Sequence, residues 1–289
     1  KACVSMGELN MGKKIHACLV ETGETGNILL VSTLIDMYMK CGSIEDARKV
    51  FDIMPTKNVV VWNTVISGYS ENIKEAFKLL KKMVQYELEP DEVTFLNILK
   101  ACNNQSDLEH CKLVNIFCVE SGYETDLYVG STLVDVYATS GSLQDAMEVF
   151  RAMPERNIVS WNALITGYVE NGLGDQALKH FQQMQCEDIV PSLITFISGL
   201  KACSDMRAIS FGQKIHCDIV IEGYESEAFI GSTLVDVYAK CGSLKDCCIV
   251  FDNLWNRDVV SFNSMIAAYT QHGELYHAVD CFVTMQFQG

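Results

Sequence analysis

Apolar residues recur along the chain with the spacing of α-helices. One stripe places four apolar residues at positions i, i+3, i+4 and i+7, which lie on one face of a helix. It occurs three times, as Trp62, Val65, Ile66 and Tyr69, as Trp161, Leu164, Ile165 and Tyr168, and as Phe262, Met265, Ile266 and Tyr269. No alternation typical of a β-strand competes with it. The pattern predicts an all-α protein.

Shorter amphipathic stripes alternate with these, and a Gly-Ser pair followed three residues later by an aspartate marks their starts. The pairs are Ser43 with Asp46, Ser142 with Asp145, and Ser243 with Asp246. Such a motif is typical of a helix that stops at glycine and of a second helix that begins with a capping box. The four prolines are Pro55, Pro90, Pro154 and Pro191. Because proline ends a helix, they mark the ends of helical hairpins.

The hairpins belong to a longer repeat. The strings STLIDMYMKCGSIED, STLVDVYATSGSLQD and STLVDVYAKCGSLKD begin at Ser32, Ser131 and Ser232, at intervals of 99 and 101 residues. The two-residue difference falls after Tyr69, where we expect a shorter turn between helices. Each block divides into hairpins of 35, 31 and 35 residues, as in 92–126, 127–157 and 158–192.

Two short helices cannot bury their apolar faces alone, so successive hairpins must stack. We therefore predict an α-solenoid superhelix of stacked helix-turn-helix hairpins as one domain over 1–289, with about nine repeats, the first and last incomplete. The approximate repeats are 1–27, 28–58, 59–91, 92–126, 127–157, 158–192, 193–227, 228–258 and 259–289. We expect function on the concave face that the first helices would line.

Composition limits the function classes. The chain is 49% hydrophobic and 20% charged, which is typical of a folded protein, and it lacks eighteen consecutive apolar residues, so we expect no membrane span. The chain has thirteen cysteines, most of them in apolar helical patterns. We expect these cysteines to be reduced thiols. The formal net charge of −15 argues against a general polyanion-binding surface, and we expect no DNA partner.

Two features resemble metal sites. His16 and His216 each lie near a cysteine, but Asn115 holds the equivalent place in the middle copy, so a repeated ligand set is not expected. The string from His272 to Glu274 is H-x-E, as in zinc deaminases, but the required downstream P-C-x-x-C is missing and only Cys281 follows. We therefore predict no catalytic, metal or cofactor site, and a cryptic deaminase is nearly excluded.

Three kinds of string recur in the same order along the alternating 35- and 31-residue hairpins. The first kind is WNTVISGY, WNALITGY and FNSMIAAY. The second is a helix such as GKKIH after an Ala-Cys pair, and the third is represented by STLVDVYAKCGSLKDCCIVFD. The chain resembles the plant pentatricopeptide repeat family, in its subclass with three alternating repeat types, as a fragment without a C-terminal deaminase domain. The resemblance implies sequence-specific binding of single-stranded RNA at about one base per repeat. It also implies a mitochondrial or chloroplast role in RNA editing or processing, with editing-factor proteins or a separately supplied deaminase as partners.

By this resemblance, a residue near the start of each first helix and the last residue of the same repeat read one base. The pairs are Ser32 with Asn58, Asn63 with Asp91, Ser131 with Asn157, Asn162 with Ser192, and Ser232 with Asp258, while Asn263 has its partner beyond Gly289. A small serine leaves room for a purine, whereas asparagine suits a pyrimidine. An ionised aspartate only accepts, which suits the ring N–H of U or G, and Asn or Ser can donate to A or C.

These rules give A, U, A, C and G for the five pairs. The repeats with Leu96 and Ile197 at the first reading position cannot hydrogen-bond a base there and are treated as spacers. The predicted site is 5′-A-U-n-A-C-n-G-Y-3′. The resemblance also implies apolar side chains that sandwich the bases, namely Val60, Val159, Val260, Leu29, Tyr128 and Phe229. Lys40 and Lys240 are candidate phosphate contacts, although Thr139 replaces them in the middle copy.

Two alternatives remain open. Serine and asparagine at helix starts are also explained by N-capping, which needs no ligand. Stacked helical hairpins also serve as scaffolds that bind proteins or peptides, and the negative net charge would suit a basic partner.

Overall fold

The computed structural model describes residues 9–23, 27–105, 107–225 and 227–288, and within them it contains seventeen α-helices and no strand. The helices are α1 (Leu9–Glu21), α2 (Ile28–Lys40), α3 (Ile44–Ile53), α4 (Val59–Gly68), α5 (Ile73–Gln85), α6 (Glu92–Gln105), α7 (Leu108–Glu120), α8 (Leu127–Thr139), α9 (Leu143–Ala152), α10 (Ile158–Glu170), α11 (Gly174–Cys186), α12 (Leu193–Met206), α13 (Ile209–Ile221), α14 (Ala228–Lys240), α15 (Leu244–Asn253), α16 (Val259–Gln271) and α17 (Leu275–Gln288). The all-α prediction is confirmed. Within the predicted partial repeat 1–27, residues 1–8 and 24–26 lie outside the described residues.

The chain forms two compact units, 1–155 with α1 to α9 and 156–289 with α10 to α17. In the first unit, the first helices of successive hairpins, α2, α4, α6 and α8, pack side by side in that order. In the second unit, α10, α12, α14 and α16 do the same. Within each unit the hairpins therefore stack as repeats. The exact division of the chain into repeats stays a prediction.

Most first helices begin at a side-chain cap. The side chains of Asn27, Asn58, Asp91, Asp126, Asn157, Ser192 and Asp258 each accept a hydrogen bond from a backbone N–H in the first turn of the following helix. Such caps satisfy N–H groups that have no partner within the helix. Behind them most residues of the predicted apolar stripes are buried, and Trp62, for example, is 1% exposed. Tyr69, Ile266 and Tyr269 are half-buried.

The Gly-Ser-x-x-Asp motifs do begin helices, but they are not capping boxes. Ser43 precedes α3, yet its hydroxyl accepts no backbone N–H and donates instead to the Asp46 carboxylate at 2.8 Å. Ser243 and Asp246 have the same geometry. The carboxylate is an acceptor only, so the serine proton goes to it. Hydrogen bonds to Ser43 and Lys13 lower the pKa of Asp46 below its ordinary value.

The two-residue deletion after Tyr69 shortens a helix rather than a turn, so the expected shorter turn is wrong. Helix α4 has 10 residues, whereas α10 and α16 have 13 each. The linker after α4 has four residues, 69–72, against three after α10 and after α16. Those longer helices are followed, two residues after their last residue, by Gly172 and Gly273, whose φ angles are 72° and 75°. The sequence after Tyr69 lacks such a glycine, so the helix ends earlier.

The cysteines contribute to the core as small apolar side chains. Cys102, Cys111, Cys118 and Cys203 are buried, and the described cysteines are free thiols. Burial raises the pKa of Cys118 and that of Cys203 to about 12 each, so both stay neutral near pH 7. Over the described part of the chain, no helix combines the length and the apolar character needed to cross a membrane.

Candidate functional site

The second residue of each first helix from α2 to α16 is apolar and exposed. The exposed fractions are 74% for Leu29, 61% for Val60, 50% for Val93, 62% for Tyr128, 56% for Val159, 57% for Ile194, 66% for Phe229 and 56% for Val260. Six of these are the predicted base-sandwiching residues. The predicted base-sandwiching set does not include Val93 and Ile194, because their repeats were predicted to be spacers. Their place two residues after the helix cap is the sequence signal that identifies them. Large apolar side chains repeatedly left in solvent indicate a binding surface.

The first members of the predicted reading pairs share one place in the fold. Ser32, Asn63, Ser131, Asn162, Ser232 and Asn263 are each the fifth residue of a first helix. A fifth residue lies inside the helix, so the N-capping alternative is wrong for this set. The second members are the caps themselves, so for Asn58, Asp91, Asn157, Ser192 and Asp258 N-capping is an observed role.

Three predicted pairs are in direct contact. Asn63 Nδ2 donates to Asp91 Oδ1 at 2.8 Å, and Ser232 Oγ donates to Asp258 Oδ2 at 2.9 Å. These two contacts join the fifth residue of a first helix to the cap of the next first helix. Asn162 Nδ2 donates in the same way to the Ser192 hydroxyl at 3.0 Å. Asn63 is 7% exposed, so little of its side chain is accessible.

The other predicted readers have different partners. Ser32 Oγ donates to the backbone carbonyl of Leu29 at 3.1 Å, and Asn58 accepts from the backbone of its own helix. Ser131 Oγ donates to a carbonyl one turn back at 2.7 Å. Ser131 belongs to the first unit and Asn157 to the second. Asn263 is exposed on α16.

The two acidic caps among the predicted reading pairs, Asp91 and Asp258, stay ionised at neutral pH. Partial burial raises the pKa of Asp91, but hydrogen bonds from Asn63 and Thr94 together outweigh it and lower the pKa below the ordinary value. Burial also raises the pKa of Asp258, but hydrogen bonds from Ser261 and Ser232 outweigh it and lower this pKa below its ordinary value. An ionised carboxylate only accepts hydrogen bonds. Both side chains can therefore accept a hydrogen bond from a ligand N–H but cannot donate one.

The candidate phosphate-binding lysines are in ion pairs. Lys40 Nζ lies 2.8 Å from Asp36, and Lys240 Nζ lies 2.8 Å from Asp236, in both cases one turn away on the same helix. Each lysine side chain is more than half exposed. Because exposed pairs of this kind are weak, a phosphate could replace the carboxylate as the partner. The phosphate contacts stay a prediction.

The residues considered as metal ligands have hydrogen-bond partners in the fold. His16 Nδ1 lies 2.9 Å from Tyr38 Oη, and His216 Nδ1 lies 2.9 Å from Tyr238 Oη. In the middle copy Asn115 hydrogen-bonds Tyr137. His16, Asn115 and His216 therefore share one structural role. Each forms a hydrogen bond to a tyrosine of the next hairpin. Both ring nitrogens of His272 lie within 3.1 Å of backbone carbonyl oxygens.

His216 is expected to make the second unit less stable in acid. Burial lowers the pKa of His216, although the carboxylates of Asp246 and Glu225 partly oppose the shift. The unfolded chain therefore takes up a proton at higher pH than the folded chain does, and the free energy of unfolding should fall as pH drops from 7 toward 5. His216→Asn, which copies Asn115, should lose this part of the pH dependence at a cost of about 1 kcal/mol at pH 7.

Urea denaturation of both proteins at pH 7, 6 and 5 would measure this effect. An unchanged pH dependence in the asparagine variant would contradict it.

These observations define an all-α protein built from stacked helical hairpins with a row of exposed apolar side chains in each unit. The model of the PPR repeat family matches residues 57–104 and 156–205. The PPR repeat model matches 30–59, 131–158 and 260–289. Together the matches cover more than half of the chain, which belongs to the pentatricopeptide repeat (PPR) family.

Curated relatives in Arabidopsis thaliana match over nearly the whole chain. The mitochondrial pentatricopeptide repeat-containing protein At3g24000 is 38% identical over 293 residues, covering 100% of this chain and 46% of the relative. The chloroplastic protein At1g11290 is 34% identical over 288 residues, covering 99% of this chain and 36% of the relative. The chain thus spans less than half the length of these relatives.

Solved structures show the same fold. The crystal structure of PPR10 from maize aligns with a TM-score of 0.73 at 21% identity, covering 99% of this chain and 42% of that chain. PPR10 in complex with an 18-nt psaJ RNA element aligns with a TM-score of 0.74 at 21% identity over 96% of this chain and 42% of that chain.

Proposed function

We propose that this chain is a sequence-specific single-stranded RNA-binding module that reads about one base per repeat. The carrying observation is the exposed apolar residue at the second position of every first helix from α2 to α16, three residues before a fifth residue that is polar in six of the eight helices. Apolar side chains can pack on base faces without regard to sequence, and the polar groups can distinguish base edges. The RNA held by PPR10 supports this assignment.

The finer assignment follows the repeat pattern. The chain is proposed to belong to the PPR subclass with three alternating repeat types and to mark a site for RNA editing or processing. The chemistry would come from a deaminase or an editing-factor protein outside these 289 residues. The mitochondrial and chloroplastic relatives support an organellar location.

A protein-binding scaffold is the second candidate. The observation in its favour is the net charge of −15 together with the pairing of Lys40 and Lys240 to aspartates, which leaves these two cations partly neutralised. A basic peptide would suit such a surface better than a polyanion does.

Binding of the purified chain to labelled 5′-AUUACUGU-3′ tests the proposal, measured over a salt series beside the same RNA with G changed to A. We expect the wild type to prefer G by about tenfold, because Ser232 and ionised Asp258 select the N–H of guanine. Asp258→Asn should reverse the preference, and asparagine keeps the cap of α16. Equal or absent binding to both RNAs would reject base reading and favour the scaffold.

A further inference from the structure

Two buried threonines lie behind the asparagine readers. Thr94 and Thr195 are the third residues of α6 and α12, and each is 0% exposed. Neither side chain can contact a bound RNA. Each nevertheless hydrogen-bonds the fifth residue of the preceding first helix, which is Asn63 in the first unit and Asn162 in the second.

In the first unit three side chains form a triangle of hydrogen-bond distances, in which the single Thr94 hydroxyl proton can go to Asn63 Oδ1 or to Asp91 Oδ1 but not to both. Thr94 Oγ1 lies 2.6 Å from Asn63 Oδ1 and 2.8 Å from Asp91 Oδ1, and it accepts from the Asp91 backbone N–H at 3.1 Å. The Asn63 Nδ2 group donates to the same Asp91 oxygen. Because ionised Asp91 only accepts, the nitrogen end of the Asn63 amide has to face it. Aspartate alone would therefore orient this amide.

The second unit has the same triangle with a serine in place of the aspartate. Thr195 Oγ1 donates to Asn162 Oδ1 and accepts from the Ser192 backbone N–H at 2.9 Å, while Asn162 Nδ2 donates to Ser192 Oγ at 3.0 Å. The Ser192 hydroxyl can donate or accept, so it would tolerate either end of the amide. Here the threonine proton is the group that distinguishes the two amide orientations.

Serines at the equivalent third position bond differently. Ser160 Oγ donates to the backbone carbonyl of Asn157 at 2.9 Å, and Ser261 Oγ donates to that of Asp258 at 2.8 Å. Each of these serines bonds its own N-cap residue. A threonine at the third position thus hydrogen-bonds the preceding first helix where that helix has an asparagine at its fifth position. This arrangement occurs once in each unit.

We infer that Thr195 is a positioning residue that sets the base preference of Asn162, with Thr94 playing a smaller part at Asn63. The inference rests on the proposed RNA-reading function. Cytosine presents an acceptor at N3 and uracil presents a donor there. At Asn63 the ionised Asp91 supplies the acceptor for uracil, whereas at Asn162 the neighbouring Ser192 can donate or accept, so there the orientation of the amide decides which base is preferred. A half-turn of the amide exchanges its oxygen and its N–H groups, and the buried threonine hydroxyl opposes that turn.

The test compares binding to 5′-AUUACUGU-3′ and to 5′-AUUAUUGU-3′, which differ only at the fifth base. Wild type and Thr195→Ser, which keeps the hydroxyl, should prefer C. Thr195→Val and Thr195→Ala should each lose about fivefold of that preference, the effect of one hydrogen bond. Both should keep the preference for G over A at the seventh base, which also shows that the variants are folded. Thr94→Val should change the U-over-C preference at the second base less than twofold, because Asp91 still orients Asn63.

Two outcomes would overturn the inference while leaving the proposed function intact. One is an undiminished preference for C in both hydroxyl-free variants. The other is an equal loss of selectivity at the fifth and seventh bases, which would show that Thr195 only stabilises the fold. A wild type that binds without base preference would overturn both the inference and the proposed function.

Discussion

Trp62→Ala is expected to lower the free energy of unfolding by about 3–5 kcal/mol, the usual cost of truncating a buried tryptophan. Trp62 is 1% exposed, and its ring lies 4.8 Å from that of Phe51 and 5.8 Å from that of Tyr86. In the third copy, Phe262 fills the equivalent place at 5.2 Å from Phe251. Trp62→Phe should therefore cost less, about 1–2 kcal/mol, because the fold already accommodates phenylalanine there.

Urea denaturation followed by far-ultraviolet circular dichroism measures both changes. Trp255→Ala is the matched control, since Trp255 is 99% exposed and its loss should change stability by about 0.5 kcal/mol or less. Similar losses for Trp62→Ala and Trp255→Ala would contradict the stacked-hairpin core described here.

Replacing Tyr128 and Phe229 together by alanine is expected to weaken binding to 5′-AUUACUGU-3′ by at least about 30-fold. Stacking of a base on an aromatic side chain contributes about 1–3 kcal/mol per base, and these are the two aromatic residues of the exposed second-position set. Both side chains are more than 60% exposed, so their truncation should leave the fold intact.

Tyr276→Ala supplies the control for that experiment. Tyr276 is 81% exposed and is also the second residue of a helix, but α17 is the second helix of its hairpin. Its removal should leave the affinity unchanged. Unchanged affinity in the double variant, with the wild type binding normally, would mean that the second-position side chains do not hold the bases.

Local sequence patterns predicted the helices because helix formation depends on near neighbours. Stripes such as that of Trp62 identify a buried face, and cap residues identify helix starts. The run Val59–Val61 shows the limit of this approach. Val60 is 61% exposed and Val61 is 0% exposed. Three identical residues carry no pattern that could assign them to faces, and only the resemblance to other repeats singled out Val60.

The contacts between repeats could be predicted only in part. The pairing of Asn63 with Asp91 was expected, but the buried hydroxyl of Thr94 between them was not. Its position depends on how one first helix is aligned with the next, and sequence spacing inside a single hairpin does not determine that alignment. The same reason explains why Ser32 bonds its own helix rather than Asn58.

The dual role of the helix caps has a consequence for how such a protein can change over evolutionary time. Asn58, Asp91, Ser192 and Asp258 each begin a helix and also occupy a predicted base-reading position. Asparagine, aspartate and serine cap helices almost equally well, so exchanges among them leave stability nearly constant. These three residues also differ in donor and acceptor character. A lineage could therefore acquire a new target sequence by single substitutions without passing through unstable intermediates.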